Sequence, residues 1–318
     1  MDYFLFLIRL FYILIISIGF SGLIFESIHV TIFPYGKLNA SNKFNARNPL
    51  EKFIRNLSVP KYWFYQFYIV GTIWVTLIII DVVVFRSGYL SWFVGLIEGA
   101  RDSKDTIYSD SYTKQPAEQC IVGLFMLLFQ TVRRAYECLF IDRPSLKARM
   151  HIGHYVLGLA FYIVTSLAIF VEGFGNLDVY GGDKLSPSFP PISNFLTWNF
   201  FIAISLFLYA SYHQHVVHKI LASLRPKYYN VSSQSRPIYV IPKGDWFDYI
   251  SSAHYFAEIL IYISFVVLNK GQIFTSYLVV AWVAFCLGIV ARDSDSWGKE
   301  RFGEKWPSNR WKIFPGVY

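Results

Sequence analysis

The chain has 318 residues, 54% of them hydrophobic and 19% aromatic, with 16% charged, a formal charge of +8 and a mean hydropathy of +0.38. Soluble domains carry about 25% charged residues, so this composition excludes an ordinary soluble domain and points to a polytopic membrane protein. The positive charge fits basic loops facing anionic lipid, or a phosphate-bearing cofactor, rather than nucleic acid, for which no module is legible.

The apolar run at 3–25 is too long for a signal peptide and reads as a retained first span. Further runs follow at 62–85, 119–141, 153–172, 194–217, 253–269 and 273–291. Each approaches or passes the ~20 residues that cross a bilayer as a helix. The piece "GYLSWFVGLI" at 88–97 is too short to span, and is expected to lie in the interface or to re-enter. The expectation is an all-α protein with seven transmembrane helices. It forms one membrane-embedded domain over 1–318, without a linker or internal repeat.

Loop charges set the orientation. Lys37, Lys43, Arg47, Lys52, Arg55 and Lys61 outnumber Glu26 and Glu51 in the first loop. The loops at 142–152 and 218–252 and the tail after 291 are also basic, whereas those at 86–118 and 172–193 are balanced or acidic. The positive-inside rule then places the N-terminus in the lumen and the C-terminus in the cytosol. Sequons at Asn39, Asn56 and Asn230 fall in cytosolic loops and are expected to stay unglycosylated. Cys120, Cys138 and Cys286 sit in apolar runs without a CxxC, so neither a disulfide framework nor a zinc knuckle is expected.

Ionisable groups inside spans are expensive, about 2.5–3.5 kcal/mol each, and are therefore the best functional pointers. The third run ends with Gln130, Arg133, Arg134 and Glu137. The fifth ends with His213, His215, His218 and Arg225. The sixth begins with His254 and Glu258, after a turn carrying Asp245 and Asp248. All three clusters fall at the cytosolic face, where they could line one site. Each also has a plainer reading. The arginines could snorkel to lipid phosphate, Glu137 could neutralise one of them, and His254 with Glu258 could dock two helices. "HQHVVH" invites a metal, but only His215 and His218 share a helix face, and two ligands do not make a site. No metal is expected. No GxSxG, P-loop or GxGxxG occurs.

Several stretches carry a resemblance: "VPKYWFYQFYIVGTIW" at 59–74, "RRAYECLF" at 133–140, "HKILASLR" at 218–225 and "YVIPKGDWFDYISSAHYFAEI" at 239–259. "FPYGK" at 33–37 and the closing "PSNRWKIFPGVY" join them. Together they resemble the polyprenol (polyprenal) reductase branch of the steroid 5α-reductase family. That resemblance implies a seven-span reductase of the endoplasmic reticulum, with its cofactor motifs in 119–318. It implies use of NADPH to saturate a carbon–carbon double bond conjugated to a carbonyl on a polyisoprenoid lipid, in dolichol synthesis for protein N-glycosylation. It implies cofactor contacts at Arg134, Arg225, Tyr239, His254 and Glu258. The family's Gln-Glu pair falls at Gln66, yet Phe67 follows it. The C-terminal "ARDSDSWGKERF" lacks the family's His and aromatic pair, holding only Trp297, so a cofactor contact there is either lost or supplied by another group, such as Arg292.

Hydride adds to an alkene only where the developing charge can delocalise. An α,β-unsaturated aldehyde provides that, and an allylic alcohol does not. The protein must then offer a donor to the carbonyl oxygen and a proton for the α-carbon. Gln66, Tyr65 and Tyr68 are the candidates for the oxygen donor, with Gln66 and Tyr68 preferred. Arginines suit cofactor phosphates, and Glu258 suits the nicotinamide carboxamide or ribose. The alternatives are another enone reductase of the same superfamily, acting on a 3-oxo-4-ene steroid or an enoyl-CoA, and a lipid transporter or receptor with no nucleotide. The sequence leaves the oligomeric state open.

Overall fold

The computed structural model describes residues 2–25, 49–85, 88–98, 115–144, 148–179, 190–225 and 239–317. In chain order it contains α1 (Asp2–Ile24), α2 (Pro49–Asn56), β1 (Ser58–Pro60), α3 (Tyr65–Val83), α4 (Gly88–Glu98) and α5 (Ala117–Tyr136). These are followed by β2 (Arg149–His151), α6 (Ile152–Val179), α7 (Ile192–Phe195), α8 (Trp198–Ser223), α9 (Ala253–Leu268) and α10 (Phe274–Phe302). The sequons at Asn39 and Asn230, the "FPYGK" stretch and most of the loop charges lie outside the described residues. Asn56 ends α2, exposed.

The apolar runs all became helices, but not with equal claims to span. Five are long and apolar enough to cross a membrane: 3–24, 61–83, 152–173, 198–223 and 274–305. Helix α5 replaces lipid-compatible residues with Glu118, Arg133 and Arg134. Helix α9 has 16 residues, about 24 Å of rise, short of the ~30 Å hydrocarbon core. The two helices that fall short carry two of the three polar clusters; the histidines of the third are on α8, which is long and apolar enough. Helix α10 also runs 11 residues beyond the apolar run that ends at 291. The short piece at 88–97 forms α4, whose first amides, Tyr89 N–H and Leu90 N–H, donate to the Asp81 carboxylate at 3.1 and 3.0 Å. A carboxylate there satisfies otherwise orphaned donors and meets the positive end of the helix dipole.

One apolar core ties the bundle together. Helices α8 and α9 run side by side, α3 packs on α5 and α6, and α1 packs on α10. The crossing of α3 and α6 is close because glycine sits at the contact. A Cβ at Gly158 would come within 2.6 Å of the Phe67 ring. Between α9 and α10 the chain reverses through Lys270 (φ 54°) and Gly271 (φ 71°). Gly271 N–H bonds Val266 O at 2.9 Å, and Lys270 N–H bonds Val267 O at 3.0 Å. This left-handed closure satisfies carbonyls at the helix end and makes the tight connection expected at 270–272.

Two local features position the polar residues. Helix α5 widens into a π-helical turn over Glu137–Ile141, with Asp142 N–H reaching back to Glu137 O at 2.7 Å. Such turns recur at functional sites. The C-terminal tail is laced to the turn before α9: Trp311 N–H donates to Tyr249 O (2.9 Å), Ser251 N–H to Trp311 O (2.8 Å), and Arg310 Nη1 to Pro242 O (2.9 Å). The motif around Arg310 and the motif at 239–259 thus form one local structure.

Candidate active site

A cavity of about 440 Å³ lies between α1, α3, α5, α6, α8, α9 and α10. Its charged lining comprises Lys61, Arg134, Arg143 and Arg225 against Asp142 and Glu258, an excess of cations. Residues of α1 and α10, among them Ile15, Ile18, Trp282, Val283 and Leu287, make another wall apolar.

The cationic wall is built in pairs. Arg225 Nη1 donates to Arg143 O at 2.7 Å, and Arg143 Nη1 donates to Arg225 O at 3.0 Å, so each fixes the other and keeps further donors. Arg134 is buried, with its guanidinium 5.0 Å above the centre of the Tyr68 ring, a cation–π arrangement. Glu137 is fully buried and accepts from both Arg133 Nη1 (2.5 Å) and Arg134 Nη1. A buried carboxylate shared by two guanidiniums is costly to remove, because the arginines would remain as unpaired buried charge. Glu137 therefore pairs with both arginines rather than one, and its single charge leaves the trio net positive. Beyond the π-turn, burial alone would raise the Asp142 carboxyl. The hydrogen bond and charge of His218, followed by Arg134, outweigh that and hold it at about 2.

Glu258 is held by two amides. Its Oε2 accepts from Gln214 Nε2 at 2.5 Å and from Gln130 Nε2 at 3.1 Å. Arg133 Nη2 in turn donates to the carbonyl oxygens of Gln130 (2.6 Å) and Gln214. Gln214 Nε2 also reaches the backbone oxygen of His254 at 3.3 Å. One network thus joins α5, α8 and α9, and leaves the other Glu258 oxygen for the cavity. The His254 ring lies 4.0 Å from that of Tyr255 and 5.8 Å from that of His218, and all three residues line the cavity.

The three histidines of "HQHVVH" diverge. His213 meets Asp245 at 2.8 Å and stacks on Trp246, His215 meets Glu137 at 3.0 Å, and His218 meets Asp142 at 3.4 Å. Each meets a different carboxylate: Asp245 lies in the turn before α9, and Glu137 and Asp142 lie at the two ends of the π-helical turn. No group of three or more His, Cys, Asp or Glu placed to hold a metal occurs among the described residues.

Of the residues singled out in the sequence, Tyr65, Tyr68, Arg134, Arg225, His254 and Glu258 come together in the cavity wall. Gln66 does not. Its Oε1 accepts from Tyr155 O–H at 2.5 Å, joining α3 to α6. Tyr239 also lies outside this wall, with its ring 4.8 Å from that of Trp297. Arg292 pairs with the neighbouring Asp293 at 3.2 Å. Residues that the sequence reading did not choose line the same wall: Gln214, Asp142, Tyr162 and Tyr262. A polar Gln214 between two histidines inside an apolar run was the available signal for the first. The tyrosines gave none, being indistinguishable from packing aromatics.

The sequence pattern of the 3-oxo-5-alpha-steroid 4-dehydrogenase family matches residues 187–318. The chain is 31% identical over 290 residues to "Polyprenal reductase" of Mesocricetus auratus, covering 83% of this chain and 80% of that protein. It is 28% identical over 296 residues to "Polyprenal reductase 2" of Arabidopsis thaliana, covering 83% and 84%. It is 27% identical over 276 residues to "Polyprenal reductase" of Homo sapiens, covering 83% and 79%. Helical spans, a buried polar cavity and these relatives define a multi-pass membrane oxidoreductase that acts on CH–CH groups. The chain belongs to the polyprenal reductase branch of the steroid 5α-reductase family.

Proposed function

We propose that this chain uses NADPH to reduce the α-isoprene double bond of polyprenal, giving dolichal, as a step of dolichol synthesis for N-glycosylation. The observation that carries this reading is a single cavity with a cationic wall, a carboxylate with an open oxygen and an apolar wall. The donor set fits the cofactor. Arg225 and Arg134 suit phosphates, while Glu258 and His254 suit the polar groups of the nicotinamide half. NADPH, when bound, supplies the hydride. Tyr68 donates to the carbonyl oxygen, and the apolar wall between α1 and α10 takes the isoprenoid chain. Tyr239, on Trp297, is given no contact.

Purified protein with NADPH should convert polyprenal to dolichal and leave polyprenol untouched, because an allylic alcohol offers no oxyanion for the donor to stabilise. Equal rates on the two would overturn reduction at the aldehyde. Faster turnover of a 3-oxo-4-ene steroid or an enoyl-CoA would move the substrate to a neighbouring class.

The proposal includes seven spans in the endoplasmic reticulum, with α5 and α9 completing the set inside the bundle. Cysteines introduced near Lys43, Lys227 and Lys305 should label from the cytosol, and those near Lys104 and Asp183 from the lumen. Sugar on Asn39, Asn56 or Asn230 would reverse this arrangement.

A further inference from the structure

Arg133 is a cation for which the cavity gives no direct use. It is not among the residues that line the large cavity. Its side chain is 11% exposed, so it does not snorkel to lipid phosphate either. Gln130, Arg133 and Glu137 fall at i, i+3 and i+7 on one face of α5. Glu137 Oε1 accepts from Arg133 Nη1 at 2.5 Å. With Nη1 tied there, Nη2 turns to the amides. It donates to Gln130 Oε1 at 2.6 Å and to Gln214 Oε1 on α8.

The chemistry of the two ends sets how the amides sit. A guanidinium only donates, and a carboxylate only accepts. An amide between them has one arrangement that satisfies both, with its oxygen to the arginine and its NH₂ to the carboxylate. Gln130 and Gln214 both take it, their Nε2 atoms 3.1 and 2.5 Å from Glu258 Oε2 on α9. Both glutamines are buried, where a polar group without a partner is costly. The charges agree with this order. Arg133, Arg134 and Glu137 together carry one surplus positive charge, and the Glu258 carboxylate stands at the other end of the amides to balance it.

We infer that Arg133 is a positioning residue for the cofactor. It orients the Gln130 and Gln214 amides, and through them holds Glu258 with Oε2 turned inward and its other oxygen left for the cavity. The inference rests on the NADPH reading of the large cavity. Without Arg133, both amide oxygens lose their charged donor, and the amides turn to find another. Glu258 then loses the two donors that fix its side chain. Its second oxygen is no longer held where a cofactor donor would meet it. Arg133 does this without touching the cofactor.

The test is the Kd of NADPH for purified protein, with kcat and KM on polyprenal beside it, in Arg133→Lys, Glu258→Gln and the double variant. Lysine keeps the charge but offers one ammonium in place of a fork that spans three acceptors. R133K should weaken NADPH binding about tenfold, inside the ten- to a hundred-fold range of a lost hydrogen bond to a charged group. KM for polyprenal should hold. Residues in one network couple, whereas independent ones add. The double variant should therefore bind NADPH about as E258Q does. Gln130→Met removes one amide link and leaves both charges in place. It should show the same coupling to E258Q with a smaller loss, and it decides the matter should R133K fail to fold. Losses that multiply with that of E258Q, or an unchanged Kd in folded R133K and Q130M, would overturn the positioning role. Wild-type protein that binds no NADPH would instead overturn the reading on which the role rests.

Discussion

Glu258→Gln is expected to weaken NADPH use by roughly ten- to a hundred-fold while leaving the fold in place, the range that follows from losing one hydrogen bond to a charged group. The two carboxylate oxygens have separate work. Oε2 takes Gln130 and Gln214, and the other oxygen is left for the cavity. A glutamine can put its carbonyl oxygen where Oε2 was and keep both amide donors satisfied. Its NH₂ then occupies the position facing the cavity, where a cofactor donor would meet a donor. Glu258→Ala should behave differently. It takes the shorter acceptor from both buried amide groups, leaving Gln214 Nε2 only the His254 oxygen at 3.3 Å and Gln130 Nε2 only the Gln214 oxygen at 3.5 Å. That costs about 1–3 kcal/mol for each, and so should lower the unfolding midpoint without cofactor as well. The check is a thermal melt of each variant with and without NADPH, beside membrane activity. Near-normal turnover in E258Q would leave Glu258 as a helix-docking group.

The helices were legible because apolar runs of this length have few alternatives to a membrane helix. The polar clusters were legible for the same reason: Arg134, His254 and Glu258 stand out against an apolar background. Their pairing was not. Sequence spacing suggested that His254 and Glu258 act as a pair, since they share a helix face. The structure instead ties Glu258 to Gln130 and Gln214, which lie 128 and 44 residues away. An uncharged amide has no long-range field that would betray such a partner. The histidines show the same limit, each settling on a carboxylate that helical spacing could not name. Gln66 drew attention because the family's Gln-Glu pair falls there, but a resemblance at one position does not say which way the residue faces. Its partner, Tyr155, lies on α6 and is not among the residues that line the cavity. The link between Arg310 and Pro242 was hidden as well, because a side chain bonding a backbone oxygen leaves no pattern at the acceptor.

The contrast between Gln66 and Tyr68 gives the other large effect. Both were candidates for the donor to the carbonyl oxygen, and the structure separates their surroundings. Tyr68 is buried in the cavity wall beneath the Arg134 guanidinium. Under the proposed reading a phenol there donates into the cavity, beside a cation that favours negative charge on whatever it touches. Tyr68→Phe keeps the ring under Arg134 and removes only the donor. It should lower kcat on polyprenal by about 10²–10³, the size seen when an oxyanion donor is lost, with KM for NADPH little changed. Gln66→Leu removes the acceptor for Tyr155 O–H and should act mainly on stability, by about 0.5–1.5 kcal/mol for one hydrogen bond, with kcat within a few-fold. The measurement is kcat and KM for both variants, each with its thermal midpoint. If Q66L loses the rate and Y68F keeps it, the oxygen donor is Gln66. The Tyr155 bond seen here would then have to break when substrate binds.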